Sequence, residues 1–372
     1  MELKGKKILV VTTTDNMITQ FLIDHIHYLQ TQGAIVECAC DETDFFFKDL
    51  VDKYKFVVHK IKFTRFPFTL KNIKARRVLI KLCKERKYDL IYCHQPVGGV
   101  MGRMVGHKLH IPVIYVAHGF HFYKGGPLKN KILYGTIEKH YSRYTDVLVT
   151  MNDEDYLASQ KMHAKKCVKI NGIGVDMTKY KSDPSLDEMA FRKELGVDSE
   201  DFVILSIAEF IKRKNVITLI KAVESINNPK VKLLLCGRGV LKEELQKYVA
   251  EHKLGDRIKF IGYRKDIPQC IQVSNVLALA SYHEGLPKCI MEAMAQAKPV
   301  VCSDIRGSRD LIGTEGGVLL EPNNIAGFAV AFEKLAENKE LCEKYGKRNQ
   351  QFVQNYSIDK VLEQMKKIYE EI

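Results

Sequence analysis

Short apolar runs alternate along the whole chain with longer segments in which apolar and polar residues recur at helical spacing. The apolar runs are bounded by polar or glycine-containing turns. A short, continuous apolar run is typical of a strand that is buried on both faces, and such strands occur in parallel sheets covered by helices. The pattern therefore predicts an α/β protein built on parallel sheets.

The predicted strands fall into two series. The first comprises 7–12, 35–40, 56–59, 89–94, 113–117 and 146–150, and the second comprises 202–208, 232–237, 258–262, 276–280 and 299–304. Segments with helical periodicity, such as 241–250, lie between them. Each series has the strand–helix alternation of a doubly wound sheet, so we expect two Rossmann-like domains.

A polar segment at 179–188 separates the two series. We expect residues 1–178 to form an N-terminal domain and residues 188–357 a C-terminal domain. A chain of 372 residues also exceeds what one hydrophobic core usually serves. Because ligands of doubly wound sheets bind beyond the carboxyl ends of the strands, we expect functional residues there, in a cleft between the domains.

The composition is that of a globular protein, with 46% hydrophobic and 28% charged residues. No apolar run reaches the roughly 18 residues that a membrane-spanning helix needs. The N-terminal segment has basic residues and then a short apolar run, which predicts a first strand and not a signal peptide. The ten cysteines lack the paired spacing of a metal site, which favours free, buried thiols in a reducing cytoplasm.

The net charge of +13 is concentrated in the first half of the chain. Between Lys60 and Lys87, eleven basic residues accompany one acid, and aromatic residues are interleaved with them. A basic segment with aromatics is attracted to an anionic bilayer, by about 1 kcal/mol per cation near the surface. The alternative is a solvated helix face beside a few core aromatics. The predicted membrane contacts are Lys60, Lys62, Arg65, Phe66, Phe68, Lys71, Lys74, Arg76 and Arg77.

The segment 281–295 carries the most specific pattern. Glu284 and Glu292 stand eight residues apart, and a Gly-Leu-Pro turn between them follows the predicted strand 276–280. Pro287 is expected at the first helical position. The N–H groups at a helix N-terminus bind phosphate, and carboxylates accept hydrogen bonds from sugar hydroxyls, so the pattern favours a nucleotide sugar. The alternative is an ordinary helix with acidic residues near its start.

With Glu-Gly-Leu-Pro at its head and Met-Glu-Ala-Met-Ala at its tail, this motif resembles that of the retaining glycosyltransferases of family 4, which have the GT-B fold. Segments 118–125 and 137–146 resemble the branch that builds capsular polysaccharide, exopolysaccharide and other lipid-linked glycans. The resemblance covers the whole chain. It implies an N-terminal acceptor-binding domain and a C-terminal nucleotide-sugar-binding domain that face a cleft, with a last segment, 358–372, crossing back onto the first domain.

In this family an arginine follows the first strand of the second domain and a lysine stands five residues later, both directed at the donor diphosphate. Lys214 matches the lysine, but Glu209 occupies the arginine position. Lys212 or Arg213 is then expected to supply the second cation, because a diphosphate leaving group gains negative charge in the transition state. A solvent-exposed basic loop is the alternative. The predicted donor-binding residues are Arg213, Lys214, Gly237, Glu284, Gly285, Leu286, Pro287, Lys288 and Glu292.

His118 follows a predicted strand and resembles the active-site histidine of the family. A neutral imidazole there would hydrogen-bond a sugar hydroxyl, whereas a purely structural histidine is the alternative. The opening loop, 12–16, lacks the Gly-Gly pair of many family members and offers hydroxyl groups instead. The predicted acceptor-side residues are Thr14, Asp15, His121 and Lys124, and the predicted catalytic residues are His118, Glu284 and Lys214.

No Asp-x-Asp motif stands at a predicted strand end, and the acidic run 153–155 is expected to open a helix and complement its dipole. The resemblance therefore implies transfer with no metal or other cofactor. It implies a hexosyl- or N-acetylhexosaminyltransferase that retains configuration, with a nucleotide sugar, most simply a UDP-sugar, as donor. The implied acceptor is an undecaprenyl-linked saccharide, and the implied location is the cytoplasm, peripheral to the anionic inner face of the plasma membrane.

Three other functions stay open at this stage. One is a nucleotide-sugar epimerase or hydrolase of the same fold, and another is a non-catalytic sensor of nucleotide sugars. The third is a non-catalytic basic protein that binds membranes or nucleic acid, which a pI of about 9.1 suggests. No zinc-finger or RNA-recognition module accompanies the charge, so we expect no nucleic-acid partner.

Overall fold

The computed structural model describes residues 2–43, 47–64 and 66–372. Contacts divide the chain into two compact units. The first comprises Met1–Gly174 with Ile358–Ile372, and the second comprises Val175–Ser357. The C-terminal helix therefore belongs to the first unit, although the whole second unit separates it in sequence from the rest of that unit.

Within the described part of the first unit, seven parallel strands form one sheet in the order β3-β2-β1-β4-β5-β6-β7. The strands are β1 (Lys7–Thr14), β2 (Ile35–Asp41), β3 (Val57–Lys60), β4 (Leu90–His94), β5 (Val113–Val116), β6 (Val147–Thr150) and β7 (Lys166–Lys169). Val10 in β1 pairs with Cys38 on one side and with Tyr92 on the other. The strand order reverses between β1 and β4, which is the topological switch point where doubly wound sheets bind ligands.

The helices of the first unit are α1 (Asp15–Met17), α2 (Ile23–Thr31), α3 (Phe47–Tyr54), α4 (Leu70–Arg86), α5 (Pro96–Leu109), α6 (Leu128–Ser142), α7 (Asp153–Ser159) and, at the end of the chain, α16 (Ile358–Glu370). A π-helical turn, Ile18–Leu22, joins α1 to α2. Helix α5 packs close to the sheet because it is rich in glycine: a Cβ on Gly99 would lie 2.3 Å from the Tyr115 ring, and one on Gly102 would lie 2.7 Å from Cβ of Cys93. This close packing fixes the ends of β4 and β5.

A buried ion pair joins α5 to α6 beneath this packing. Arg103 is fully buried, and its Nη1 donates to Glu138 Oε2 at 2.8 Å. The hydroxyl of Tyr115 in β5 donates to the other carboxylate oxygen at 2.9 Å. Glu138 lies in the segment 137–146 that resembles the polysaccharide branch, and its contacts give that part of the segment a structural role in holding α6 against the sheet.

The described residues of the second unit form a sheet of six parallel strands in the order β10-β9-β8-β11-β12-β13. Its strands are β8 (Phe202–Ile207), β9 (Val231–Cys236), β10 (Ile258–Gly262), β11 (Val276–Leu279), β12 (Val300–Ser303) and β13 (Gly317–Leu320). The order repeats that of the first sheet, with the reversal between β8 and β11. The carboxyl ends of these two strands are therefore the expected ligand-binding edge of this unit.

The helices of the second unit are α8 (Glu188–Glu194), α9 (Val216–Ser225), α10 (Lys242–Glu251), α11 (Ile267–Gln272), α12 (Lys288–Ala295), α13 (Ser308–Ile312), α14 (Ile325–Glu337) and α15 (Lys339–Phe352), with short 3₁₀ turns at Lys212–Lys214 and Val353–Tyr356. The unit begins and ends at adjacent points, because Val175 N donates to Tyr356 O at 2.9 Å and Val175 forms a bridge with Ser357. The helices cover a sheet whose four central strands, β9, β8, β11 and β12, are almost completely buried.

The predicted fold class, two Rossmann-like parallel sheets, is confirmed, and all eleven predicted strands are present. Two further strands, β7 and β13, escaped prediction. Both are four-residue edge strands, and the first and last residues of β7 are exposed lysines, so β7 lacks a continuous apolar run. All ten cysteines are free, as expected. Among the described helices, none combines the length and apolar content that crossing a bilayer requires.

Candidate active site

The acidic pair of the second unit lies where the sequence motif places it, between a strand and a helix. The chain leaves β11 at Leu279, passes through a loop that contains Glu284, and enters α12 at Lys288. The prediction that Pro287 is the first helical residue is wrong by one position. Its φ of −73° is helical, but its ψ of 113° is extended, so Pro287 caps the helix. The first N–H of the helix therefore belongs to Lys288.

Glu284 is held by two cations from the loop after β8. Lys214 Nζ lies 2.6 Å from Glu284 Oε1, and Arg213 Nη1 lies 3.2 Å from Oε2. The carboxylate is buried, with 8% of the residue exposed. Burial alone would raise the pKa of Glu284, but Lys214 and Arg213 outweigh it and the pKa is lowered. The group is therefore an ionised carboxylate between two positive charges.

Glu209, at the position where the family has arginine, is exposed just beyond the end of β8. Lys212 is also exposed. Arg213 contacts the Glu284 loop twice, since its Nη1 also donates to the backbone carbonyl of His283 at 2.7 Å. Of the two expected substitutes for the missing arginine, Arg213 is thus the one beside Glu284.

Sequence analysis missed Arg306, which follows β12. This side chain is buried, and its Nε donates to the backbone carbonyl of Glu284 at 3.1 Å. The next residue, Gly307, has a φ of +74°, and a Cβ there would lie 2.0 Å from the carbonyl oxygen of Gly285. The loop after β12 therefore supports the loop that carries Glu284. An Arg-Gly pair in the short loop after a strand was the only signal in the sequence.

Glu292, five residues into α12, is also buried and has a partner from a distant segment. The hydroxyl of Tyr180 donates to Glu292 Oε1 at 2.5 Å, and Lys288 Nζ lies 3.9 Å from the same oxygen. Sequence analysis did not single out Tyr180. Two of the residues that flank it in sequence, Lys179 and Lys181, help to line a cavity of about 520 Å³ with Lys265. The cavity was not predicted either.

Gly237 serves a contact within the protein. A Cβ on this residue would lie 1.9 Å from the carbonyl oxygen of Ala208, so the loop after β9 can approach the loop after β8 only if glycine stands here. Gly239 makes a similar approach to the backbone of Phe210. This contact gives Gly237 a structural role, and the predicted close approach of its backbone to a nucleotide stays a prediction.

In the first unit, His118 lies two residues beyond β5 and beside the last residue of β4. Nδ1 of His94 is 3.0 Å from Nε2 of His118. Burial lowers the pKa of His118 to about 3, with a smaller contribution from the nearby His25, and burial also lowers the pKa of His94 well below its usual value. Both rings are therefore neutral at physiological pH. His94 was predicted only as the last residue of a strand.

Acidic residues of α7 hold the loop that follows His118. Asp155 Oδ2 accepts a hydrogen bond from Phe120 N at 3.2 Å, and Glu154 Oε1 accepts one from Lys124 N at 2.6 Å. The run 153–155 does open a helix, as predicted. Its additional role in fixing the 118–125 loop was missed, because the two segments are about thirty residues apart.

The predicted acceptor-side residues are not equivalent. Asp15 is fully buried, and its two carboxylate oxygens accept hydrogen bonds from the backbone and the hydroxyl of Thr43, both at 2.7 Å. Its assignment to the acceptor side is therefore corrected: it is a structural residue beneath the loop. Thr14 ends β1 and is partly exposed, whereas His121 and Lys124 are exposed.

The predicted membrane contacts also differ in their exposure to solvent. Phe66 and Phe68 are exposed by 42% and 49%, and the cations Lys62, Lys71, Lys74 and Arg77 are also exposed. Arg76 is partly buried, and its Nη1 donates to the sulfur of Met104 at 3.9 Å, so its membrane contact stays a prediction. Lys60 pairs with Glu42 at 3.0 Å. Arg65 lies outside the described residues.

Further exposed apolar residues stand close by. Leu70 at the start of α4 is 80% exposed, and α6 presents Leu128 and Ile132, which are 71% and 62% exposed. The ring of Phe68, which lies two residues before α4, stacks on Tyr141 of α6 with 6.2 Å between centroids, so this segment and α6 share one side of the unit. The contribution of α6 was not predicted from the sequence.

Comparison with known proteins agrees with the division of the chain into two structural units. The family model described as glycosyl transferase 4-like matches residues 7–152. The model described as glycosyl transferases group 1 matches residues 187–352. Each match falls within one of the two structural units.

Among curated proteins, EpsD of Bacillus subtilis, which is named provisionally as a glycosyltransferase, is 32% identical over 98% of this chain and 96% of its own. The UDP-Gal:alpha-D-GlcNAc-diphosphoundecaprenol alpha-1,3-galactosyltransferase of Escherichia coli is 28% identical over 81% of this chain and 80% of its own. The similarity thus extends across both units.

Among solved structures, HepE of Anabaena in complex with UDP and glucose superposes with a TM-score of 0.85 at 22% identity, covering 99% of this chain and all of HepE. Sucrose-phosphate synthase of Thermosynechococcus elongatus superposes with a TM-score of 0.80 at 17% identity, covering 99% of each chain. At these identities the superpositions establish the fold. Together with the full-length similarity to EpsD, they show that the chain belongs to glycosyltransferase family 4 and has the GT-B fold.

Proposed function

We propose that this glycosyltransferase moves a hexosyl or N-acetylhexosaminyl group from a UDP-sugar to a lipid-linked saccharide during synthesis of a cell-surface polysaccharide, such as an exopolysaccharide or a capsule. The observation that carries the proposal is the position of Lys214, whose Nζ is 2.6 Å from Glu284 at the entry to α12. The Escherichia coli relative transfers galactose from UDP-Gal to a diphosphoundecaprenol-linked sugar, which supports the choice of donor and acceptor.

The second unit binds the donor in this proposal. Glu284, Lys214 and Arg213 carry one negative and two positive charges, so one positive charge is left to attract a diphosphate. When the donor binds, the cations and the N–H groups at the start of α12 contact its phosphates, because a helix N-terminus favours anions. Glu284 then accepts hydrogen bonds from the transferred sugar, and Glu292 accepts them from the ribose.

The first unit binds the acceptor. His118 is neutral and adds no positive charge, and because its Nε2 is bonded to His94, it offers Nδ1 to a sugar hydroxyl. Thr14, His121 and Lys124 supply further polar groups near the ends of β1 and β5. Transfer with retention follows the family: the acceptor oxygen bonds to the anomeric carbon on the face that the diphosphate leaves, and the leaving phosphate oxygen takes the acceptor proton.

The proposal includes transfer without a divalent metal. Lys214 and Arg213 are side chains already placed beside one another, and such preorganised charges stabilise a leaving diphosphate without reorganisation during the reaction. The α12 N–H groups add to them.

The exposed side of α4 and α6 is proposed to rest on an anionic bilayer. Phe66, Phe68 and Leu70 offer apolar contact, and Lys71, Lys74 and Arg77 offer charge. A lipid-linked acceptor remains in the membrane, so an enzyme held at the inner face of the plasma membrane meets its acceptor at high local concentration.

The test combines binding with turnover. A panel of nucleotide sugars is screened for protection against thermal unfolding, since a ligand at 100 times its Kd stabilises the native state by about 2.7 kcal/mol. The protective donor is then incubated with and without an undecaprenyl-diphosphate saccharide. Sugar transfer that requires the acceptor is the expected result. Conversion of the donor without acceptor would instead favour an epimerase or hydrolase, and protection without any turnover would favour a sensor.

A further inference from the structure

The segment that carries Tyr180 is fixed on both sides of this residue. Asp176 Oδ1 accepts hydrogen bonds from the N–H groups of Thr178 and Lys179, both at 2.9 Å, and Tyr180 N donates to Asp176 O at 3.2 Å. After Tyr180, the N–H of Asp183 donates to the side chain of Gln272 at 2.8 Å. The Tyr180 ring therefore enters the interior of the second unit from a defined turn.

Inside, the hydroxyl of Tyr180 lies 2.5 Å from Glu292 Oε1. The tyrosine is 3% exposed and the glutamate is 7% exposed. Burial, and then the charge of Glu292, raise the pKa of Tyr180 far above its ordinary value, so the hydroxyl keeps its proton. Because an ionised carboxylate only accepts hydrogen bonds, Tyr180 is the donor. Charge-assisted bonds of this kind are stronger than neutral ones.

We propose that Tyr180 is a positioning residue, whose hydroxyl holds the Glu292 carboxylate in the orientation that accepts a ribose hydroxyl and so sets the preference for ribonucleotide over deoxyribonucleotide donors. The inference rests on the proposed function in one respect, the binding of ribose by Glu292. It adds a residue from the start of the second unit, 112 positions away in sequence.

The physical reason is that, among the described residues, few other contacts restrain this carboxylate. Lys288, one turn earlier in α12, is 3.9 Å from the same oxygen, which is an ion-pair contact and longer than a hydrogen bond. Without the tyrosine hydroxyl, the carboxylate is free to turn toward this ammonium group. A ribose hydroxyl then meets an acceptor in the wrong orientation, whereas the phosphate and sugar contacts near Glu284 are unchanged.

The experiment compares Tyr180→Phe with Tyr248→Phe in the full-length enzyme. Tyr248 is a matched control because its hydroxyl donates to Glu224 at 2.7 Å in the same unit, away from α12. Calorimetry measures the binding of UDP, 2′-deoxy-UDP and 3′-deoxy-UDP to each variant. Removing a hydrogen bond to a charged group is expected to weaken UDP binding by about tenfold in Tyr180→Phe. Binding of the deoxynucleotide that lacks the contacted hydroxyl should change much less.

In turnover, Tyr180→Phe should raise the donor KM and leave kcat within about twofold, while Tyr248→Phe matches the wild type. Equal weakening of all three nucleotides would overturn the inference, because a general structural defect does not distinguish them. If Tyr180→Phe alone does not fold, Tyr180→Phe/Glu292→Gln avoids a stranded carboxylate. Its binding should then equal that of Glu292→Gln, and a further loss would contradict the inference.

The two proposals fail in different ways. A wild-type enzyme that binds no UDP, or that binds UDP and both deoxynucleotides equally, contradicts the assignment of ribose to Glu292 and with it the proposed donor site. A wild-type enzyme that prefers UDP, together with a Tyr180→Phe variant that keeps the same preference, leaves the donor site intact and refutes only the role of Tyr180.

Discussion

The imidazoles of His94 and His118 are hydrogen-bonded to each other, with 3.0 Å between Nδ1 of the first and Nε2 of the second. Since burial keeps both rings neutral, one of these nitrogens carries a proton and the other does not. The contact therefore couples the two tautomers: His118 Nδ1 is an acceptor when His118 Nε2 carries the proton, and a donor when His94 Nδ1 carries it. In the proposed site, Nδ1 is the nitrogen of His118 that would contact a sugar.

This buried pair makes a prediction for stability against pH. The pKa values of His25, His94 and His118 all lie below the ordinary value of 6.5 because of burial. The unfolded chain binds protons at these groups as the pH falls below about 6.5, whereas the folded chain does so only at much lower pH, near 3 for His118. The free energy of unfolding should thus fall between pH 7 and pH 5, as measured by urea denaturation.

The window between pH 7 and pH 5 isolates the histidines, because carboxylates such as Glu284 titrate below it. His94→Gln removes one of the buried histidines, so the free energy of unfolding should fall less between pH 7 and pH 5 than it does in the wild type. The control His163→Gln removes an exposed histidine of the same unit and should leave the dependence as in the wild type. Equal stability of the wild type at both pH values would contradict the prediction.

Lys214 and Lys212 form a matched pair for testing donor chemistry. Lys214→Ala removes a cation that contacts Glu284, and kcat should fall by about 100- to 1,000-fold, as expected for one group that stabilises transition-state charge. Lys212→Ala removes an exposed cation two residues earlier and should change kcat by less than about threefold. The two variants are compared by their initial rates at saturating donor, with circular dichroism as a folding control. If both variants lowered kcat equally, the net positive charge of the loop, and not the position of Lys214, would be responsible.

Gly307→Ala should displace the loop that carries Glu284, because Gly307 packs against the backbone of that loop. The residue has a positive φ, and the added Cβ would lie 2.0 Å from the carbonyl oxygen of Gly285, so backbone must move. We expect a loss of more than about 1 kcal/mol of stability and weaker donor binding. Gly255→Ala is the control, since nothing lies within 4 Å of its Cβ. Thermal unfolding with and without UDP measures both effects, and a Gly307→Ala variant indistinguishable from the control would refute the role of this contact.

Charge reversal on α4 tests the membrane surface. Lys71→Glu/Lys74→Glu should weaken binding to vesicles with anionic lipid by more than tenfold, given about 1 kcal/mol per cation near the surface. Lys242→Glu/Lys247→Glu makes the same change of net charge on α10 of the second unit and should bind as the wild type does. Cosedimentation at low and high salt measures the effect, because salt screens exposed charges. If both double variants lose binding equally, net charge alone is responsible.

Metal removal gives the last prediction. Because Lys214 and Arg213 supply the positive charge, transfer should continue in excess EDTA at an unchanged rate. The control is the same assay with added magnesium, which should not accelerate the reaction. Loss of activity in EDTA that magnesium restores would show that the two cations are insufficient.

Both sheets could be predicted from the sequence, because a strand that is buried on both faces consists of consecutive apolar residues. The sequence could not predict β7, in which two exposed lysines flank only two half-buried residues at the edge of the sheet. In the site, Glu284, Glu292 and Lys214 were accessible from one motif and a family resemblance. Tyr180 and Arg306 were not, since each reaches the acidic pair from a separate part of the chain.

Asp15 shows the opposite error. A polar residue just after a strand is usually exposed at the ligand-binding edge, and the sequence offers no sign that Thr43 returns to cover it. Gly237 was assigned to nucleotide approach because glycine after a strand permits any close contact, and only the structure identifies the Ala208 carbonyl as the group approached. The residue type shows which kinds of contact are possible at a position, and the tertiary structure determines which group makes the contact.

The bridge between Val175 and Ser357 makes the second unit an uninterrupted stretch of polypeptide whose two ends meet. All of its described strands therefore come from one continuous stretch of chain. The first unit is discontinuous, because α16 follows the whole second unit and contributes Val361, Met365 and Tyr369 to the buried residues. A stop codon before α16 would therefore remove part of the unit that is synthesised first.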